Sequence, residues 1–267
     1  MTTECLFTED KSEFLPTALA GSPWHPGILH GGAPAALFAY CFEKGVTPEL
    51  VPARLSIDLL RPVPKAPLTV HTECVRRGKR IQLWQARMEA GGTLVALANA
   101  LFVKQRPVQL PDYAPQIQPL NVSPDQLQDV CFGEILFSQA KNVPPGLHTC
   151  IRLRPVTPLQ EKGRGTAWLS LPVDVIEARS TTPFMLAALA SDFGNGVGQL
   201  NLGSETGTIN ADIQLMLSRP ASGEWIGLQS EALMGSTGVG QVTTALFDTR
   251  GRIGQVVQTI MPMSDLS

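Results

Sequence analysis

Three features of the chain carry residue types that could do chemistry. The first is an acid, Asp192, inside the apolar stretch Thr182 to Gly196 (TPFMLAALASDFGNG). Met185, Leu189 and Phe193 recur every four residues with Leu186 beside them, which predicts a helix with one buried stripe, opened by Pro183 and ended or kinked by Gly194, Gly196 and Gly198. Asp192 then falls in the last turn, where the helix dipole disfavours a negative charge by about 0.3–1 kcal/mol. Either something else holds it there or it is a solvated acid at a frayed end. The second feature is Gln258, between Val256 and Ile260 on one face of a strand-like run. A buried amide without partners costs about 1–3 kcal/mol, so Gln258 is read as bonded, to a carboxylate or water or, as a structural amide, to backbone. An acid near an amide suits attack by a directed water, with Asp192 accepting its proton. The third feature is His30-Gly31-Gly32. Two glycines ahead of a helix let a ligand approach the backbone and offer N–H donors to a developing oxyanion at the helix's positive end; alternatively they only permit a tight entry turn, with His30 packed or solvated.

The elements that must position these residues come in two similar sets. After a strand pair (Cys5 to Phe7, Phe14 to Ala18), the helix following Gly32 has Pro34 in its first turn and Lys44-Gly45 as its stop. Alternating runs at Leu55 to Leu59, Leu68 to Cys74 and Ile81 to Glu89 lead to Thr93 to Lys104, which is apolar on both faces and therefore a central strand. Short strands are expected at Ile135 to Phe137, His148 to Leu153 and Thr166 to Leu171, then the helix carrying Asp192. A second meander follows: Ile209 to Leu217, Trp225 to Met234, Val239 to Phe247 and Ile253 to Met261. Arg61-Pro62 and Arg219-Pro220 end the first strand of each meander and lie 158 residues apart, the mark of an internal duplication. With small gaps Asn99 falls opposite Gln258. Pro34 is the nearest match to Asp192, and the second helix starts Thr181-Thr182-Pro183 without a double glycine, so one working site per chain is expected. Each copy is a sheet with one helix on it, an α+β arrangement. The division is 1–110, a linker at 111–130 rich in proline, glutamine and asparagine at its start, and 131–267.

The helix led by His-Gly-Gly, the strand ending in Arg-Pro, the Ala-Ser-Asp-Phe of the second helix and the Val-Val-Gln of the last strand resemble, in order and spacing, the double-hotdog acyl-CoA thioesterases, the type II enzymes and their thioesterase-like relatives. The resemblance spans roughly residues 5 to 263. It implies an α+β tandem hotdog, two antiparallel sheets each wrapping a central helix, and hydrolysis of an acyl-CoA to free acid and CoA. It also implies that Asp192, Asn210 and Gln258 hold the attacking water. Asn210 stands where relatives carry threonine, and Thr208, two residues back on the same strand face, is the alternative. His30, Gly31 and Gly32 become substrate-binding residues. No cofactor or metal is needed, and such chains can pair further into homo-oligomers. The rival is a non-catalytic acyl or acyl-CoA binding protein of the same fold.

Composition narrows the remaining classes. A net charge of −2 with 6% aromatic residues gives no electrostatic case for nucleic acid or an anionic membrane. The longest apolar run, Leu94 to Val103, is interrupted by Asn99 and too short to span a bilayer, and no leader is evident, so a cytoplasmic protein is expected. Five widely spaced cysteines without a CxxC pair suit reduced thiols. There is no GxSxG, HExxH or GxxxxGK[ST] motif, and His25, His30, His71 and His148 lack metal-ligand spacing. Arg76, Arg77, Lys79 and Arg80 could meet phosphates, or form a solvated hairpin turn.

Overall fold

The computed structural model describes residues 4–133, 144–159, 163–203 and 207–263. The first half of the chain supplies the hairpin β1 (Cys5–Asp10) and β2 (Glu13–Pro16), helix α1 (Gly32–Glu43), and the meander β3 (Leu50–Leu59), β4 (Leu68–Arg77), β5 (Ile81–Ala90) and β6 (Thr93–Lys104). The second half begins with a helical turn, α2 (Leu147–Cys150), and strands β7 (Arg152–Pro155), β8 (Arg164–Ser170) and β9 (Asp174–Ile176). It continues through α3 (Pro183–Ala190), the single turn α4 (Gly194–Val197), β10 (Thr208–Asn210), β11 (Asp212–Leu217), β12 (Ile226–Met234), β13 (Gly240–Asp248) and β14 (Gly251–Pro262). The strands follow the apolar alternation that predicts them, with inward residues such as Leu55 and Ile57 or Ile213 and Leu215 fully buried.

Two sheets, one per half, are expected from the sequence; the described strands instead form one continuous fourteen-stranded sheet. Its order is β7-β8-β12-β13-β14-β11 followed by β3-β6-β5-β4-β2-β1, with β9 added parallel to β1 and β10 pairing with β14. The edge strands β11 and β3 pair antiparallel, so each half satisfies the open backbone edge of the other. The order reads alike from both ends, as a duplication about a twofold axis demands. Ser56 is opposed to Gln214, and these two are equivalents under the offset of 158 residues. The pseudo-dyad therefore passes through that pair. The same register corrects the match of Asn99 with Gln258. Ser56 faces Asn99 while Gln214 faces Val257, so Gln258 is the equivalent of Ala100. A slip of one residue exchanges the two faces of a strand. Asn99 is on the outer face beside Gln85, and Gln258 is inside.

Helices α1 and α3 lie together at the centre of the main core. Every residue from Gly32 to Phe42 and from Phe184 to Ala190 is buried. The single buried stripe expected for the second helix is thus too narrow a reading. The alanines between the large residues are buried as well, because the other helix covers the face that would otherwise meet water. The helices run antiparallel. Thr182 caps α3 by accepting the Met185 N–H (3.2 Å) and donates to Glu43 at the far end of α1 (2.8 Å).

Two other strand expectations change. His148 to Leu153 does not start as a strand, because Gly146 O accepts the N–H groups of Thr149 (3.0 Å) and Cys150 (3.2 Å) and closes the helical turn α2; only β7 is extended. The expected strand Ile135 to Phe137 lies outside the described residues. Residues 105–129 contain no strand and only one short 3-10 turn, Pro124–Gln126. Their far end is tied to the second half by Trp168 Nε1–H to Val122 O (2.9 Å) and by Arg152 and Arg154 on Asp129 (2.9 and 2.6 Å). No helix among the described residues is long and apolar enough to cross a membrane.

Candidate active site

Asp192 lies just past the end of α3, in the tight turn that leads into α4, and is only 7% exposed. The antiparallel helix pair carries this turn to the start of α1. What holds the acid at an unfavourable helix end is therefore the favourable end of its neighbour. Asn210 Nδ2 donates to Oδ1 at 2.9 Å, and His30 Nδ1 lies 2.8 Å from Oδ2. Burial pushes the Asp192 carboxyl up, but the His30 charge and hydrogen bond, the Asn210 amide and the Gly32 N–H together hold it below the ordinary carboxylate value. The glycines are required by this approach. A Cβ on Gly31 would fall 2.7 and 2.8 Å from the two Asp192 oxygens, and one on Gly32 would fall 2.8 Å from Leu189 O.

His30 Nδ1 has two neighbours that compete, the Asp192 carboxylate at 2.8 Å and the Gly32 N–H at 3.2 Å. A carboxylate is the stronger and closer partner, so Nδ1 carries a proton and donates it to Asp192, and the Gly32 N–H turns to the same carboxylate. In the neutral ring this leaves Nε2 as the basic nitrogen. The imidazole is stacked on Phe193 with ring centres 4.5 Å apart, which fixes its plane. His148 is fully buried and is driven down to about 4 by that burial and by His30, so it is a neutral neighbour. Gly32 has its N–H committed to this network. The Gly31 N–H has no hydrogen-bond partner among the described residues.

Asn210 reaches Asp192 because the strand that carries it is broken. The sequence predicts one strand from Ile209 to Leu217, but Asp212 Oδ1 takes the Thr259 N–H at 2.7 Å and splits it into β10 and β11. Such an interruption re-aims the residues before it. The alternative strand residue, Thr208, is engaged elsewhere, donating to Asn195 Oδ1 at 2.8 Å. Asn210 Oδ1 is buried and has no hydrogen-bond partner among the described residues. Gln258 is fully buried, and neither of its amide atoms has a hydrogen-bond partner among the described residues. It lies beneath the start of α4, where a Cβ on Gly194 would come within 2.9 Å of Gln258 Oε1. Asn210 faces Ile260 across the β10–β14 pair, so Gln258 is its diagonal neighbour on the same face, a separation long side chains span. The fold thus gathers His30, Gly31, Gly32, Asp192 and Asn210 at one point and sets Gln258 one layer behind.

His30, Gly31, Asp192 and Asn210 open onto a cavity of about 320 Å³, which Gly32 and Gln258 do not line. Leu29, Leu59, Phe132, Ile209 and Met261 form much of its apolar wall, and Asp192, His30 and Asn210 are among its polar groups. The basic hairpin Arg76 to Arg80 does not line it; Arg77 instead lies over the Trp84 ring at 5.2 Å. Among the described residues no three His, Cys, Asp or Glu side chains gather as a metal site. The contact of His30 with Asp192 is what sequence reasoning missed. The two lie far apart in the chain, and no local pattern signals that the end of α3 abuts the start of α1.

Residues 20–103 match the family described as acyl-CoA thioesterase N-terminal domain, and residues 124–261 match its companion, acyl-CoA thioesterase C-terminal domain. No curated protein matches the chain. Among solved structures it is similar to an acyl-CoA thioesterase II, TesB2, from Mycobacterium marinum (16% identity, TM-score 0.63, covering 90% of this chain and 93% of that one). It is also similar to a tesB protein of Mycobacterium avium subspecies paratuberculosis (14%, 0.66, 94% and 93%). A third is a hot dog fold protein of unknown function from Alicyclobacillus acidocaldarius (15%, 0.70, 97% and 96%). At such identities the likeness is one of fold, and it makes this α+β architecture a hotdog fold.

Proposed function

The chain belongs to the acyl-CoA thioesterase family, and from that premise we propose that it hydrolyses acyl-CoA thioesters by water attack at the centre formed by Asp192, His30 and Asn210. The observation that carries the reading is a buried carboxylate, held on both oxygens, at the start of a central helix and open to an apolar cavity. Such a carboxylate, kept below its usual titration range, is a weak base but a good partner for an imidazolium. His30 Nε2 therefore takes the proton of the water, and Asp192 fixes the ring and balances the charge that forms. The water oxygen bonds to the thioester carbon. The carbonyl oxygen becomes an oxyanion facing the Gly31 N–H and the positive end of α1. Collapse of that intermediate breaks the carbon–sulfur bond, and the proton on His30 leaves with the thiolate as CoA thiol. Asn210 Oδ1 and, behind it, the Gln258 amide, polar atoms on one sheet face without hydrogen-bond partners among the described residues, steady the water. The acyl group is apolar, in keeping with the cavity wall. The matches at 20–103 and 124–261 support two units, which we divide as 1–110, a linker at 111–130 and 131–267, the second match beginning inside that linker.

Thiol release from a panel of short, long, branched and aromatic acyl-CoAs tests the proposal on the native chain and Asp192→Asn. Release that falls about 10²–10⁴-fold in the variant is expected. Tight binding of intact acyl-CoA by the folded native chain, with no thiol released, would replace hydrolysis with a non-catalytic binding role.

A further inference from the structure

The duplication supplies an internal comparison for the two Arg-Pro pairs. In the second half Arg219 is a structural residue. Its guanidinium makes a bidentate pair with the buried Asp248 (2.5 and 2.6 Å) and donates to Gly251 O (3.0 Å). Asp248 also accepts the backbone N–H groups of Ser222 and Arg250, each at 2.9 Å, so the arginine locks the end of β13 and the turn after it. The turn joining β5 to β6 is the first-half copy. Asp248 pairs with Gly251, and Ala90 pairs with Thr93, at the offset of 158 residues that relates Arg219 to Arg61. The carboxylate that engages Arg219 is an alanine in the first copy. Arg61 has lost the partner that makes its twin structural; its backbone is held by Val95 O (3.2 Å), and its side chain has no ion pair or hydrogen bond among the described residues.

Arg61 is not simply released into solvent. It is exposed and lines the cavity that holds Asp192 and His30, where it is the one lysine or arginine among the described lining residues. Trp24, 41% exposed, lines the same cavity, so the rim offers a cation and an aromatic surface together. Apolar wall deeper in suits the acyl group, which leaves the charged part of the substrate at the rim. We infer that Arg61 is an anion-binding residue at the cavity mouth that recognises a phosphate of the CoA carrier. This rests on the thioesterase reading. A guanidinium presents paired N–H donors that match two phosphate oxygens, which a carboxylate in the protein would otherwise occupy. The remaining source of the same chemistry is a carboxylate at the far end of the acyl group.

The test compares the native chain with Arg61→Met and Arg61→Lys, using one acyl group on CoA and on pantetheine, which lacks the nucleotide phosphates, and a dicarboxylic acyl group on both carriers. Calorimetric binding of free CoA is measured beside the kinetics. A carrier role predicts that Arg61→Met raises KM for acyl-CoA about tenfold, at least five times more than for the acyl-pantetheine. Arg61→Lys should recover part of the loss, and CoA binding should weaken in parallel. Equal effects on both carriers, or no effect on either, would overturn the inference; so would a KM change confined to dicarboxylic acyl groups on either carrier, which would assign the arginine to the acyl end. If the native chain releases no thiol, the thioesterase reading fails, and CoA binding that still depends on Arg61 distinguishes that failure from failure of the anion site.

Discussion

At the residue scale the central fact is that Asp192 is stabilised as an anion by groups from two separate stretches, His30 with Gly32 at the start of α1, and Asn210. Two predictions follow from that geometry. If the carboxylate were itself the base, being held below the ordinary value it would keep the rate of thiol release flat until the pH falls below the usual carboxylate range. With His30 Nε2 as the base, the acidic limb of the profile belongs to the imidazole and not to the carboxylate. A pH–rate profile of the native chain decides between them, and His30→Gln should remove the limb along with most of the rate. The second prediction concerns Gly31. An added Cβ would meet both Asp192 oxygens at 2.7–2.8 Å, so Gly31→Ala must displace the carboxylate while the helical backbone accepts alanine readily. A misplacement of a few tenths of an ångström to 1 Å costs on the order of 10²-fold in rate. Thiol release should drop by at least about tenfold with little change in melting temperature; a fully active Gly31→Ala chain would show that the contact does not matter.

At the scale of elements, the antiparallel helix pair positions the site, and its two ends differ in kind. One end joins Asp192 to the start of α1, and the other joins Glu43 to the cap of α3. Burial pushes the Glu43 carboxyl up, with the Thr182 hydroxyl opposing. A carboxyl easier to protonate in the folded chain contributes stability that is fullest below the usual carboxylate range and is lost as pH rises through the folded value. Glu43→Gln keeps an acceptor for Thr182 and removes the buried charge, so its melting temperature should exceed that of the native chain at pH 8, with the gap narrowing toward pH 4. Thr182→Ala, which deletes the cap itself, should cost about 1 kcal/mol at pH 4 in a denaturant titration, and more at pH 8, where the charged Glu43 also loses the hydroxyl. The meanders are legible in the sequence because apolar alternation dictates them, and the helices because their apolar runs are bounded by proline and glycine. The interruption at Asp212 is not, since Ile209, Ala211, Ile213 and Leu215 keep the alternation unbroken and only a side-chain hydrogen bond to Thr259 reveals the break. Gln258 is legible as an inward amide but not as a partner of anything. Asn99 misleads as its twin, because a one-residue slip in a strand leaves the apolar count almost unchanged while exchanging its faces.

At the scale of the whole molecule, duplication sets the architecture, and departure from it creates the site. Asp192 and the double glycine belong to one copy each, so the site exists only where the two copies meet; an isolated half would hold either the acid or the helix start that stabilises it. The same logic bears on how the chain unfolds. β3 and β11 share a ladder from Arg54–Met216 to Asp58–Asp212, with Leu55, Ile57, Ile213 and Leu215 buried beneath it, and α1 packs on α3 across the same plane. Separating the halves would bare an unpaired edge on both sheets and the apolar flanks of both helices. Neither half should survive that alone, so unfolding is expected as one cooperative transition despite two repeats and an irregular connection. Ile57→Ala and Ile213→Ala, which remove fully buried side chains at the seam, should each destabilise the chain by about 2–5 kcal/mol. The probes fall on both sides of the seam, Trp24 and Trp84 in the first half and Trp168 and Trp225 in the second. Variants retaining only one side's tryptophans, followed by fluorescence beside far-ultraviolet circular dichroism, should give coincident midpoints, and each alanine substitution should move all of them by the same amount. Two separated transitions, with Ile57→Ala shifting only the first-half signal, would mean that the seam joins two independently stable units and that the site can open between them.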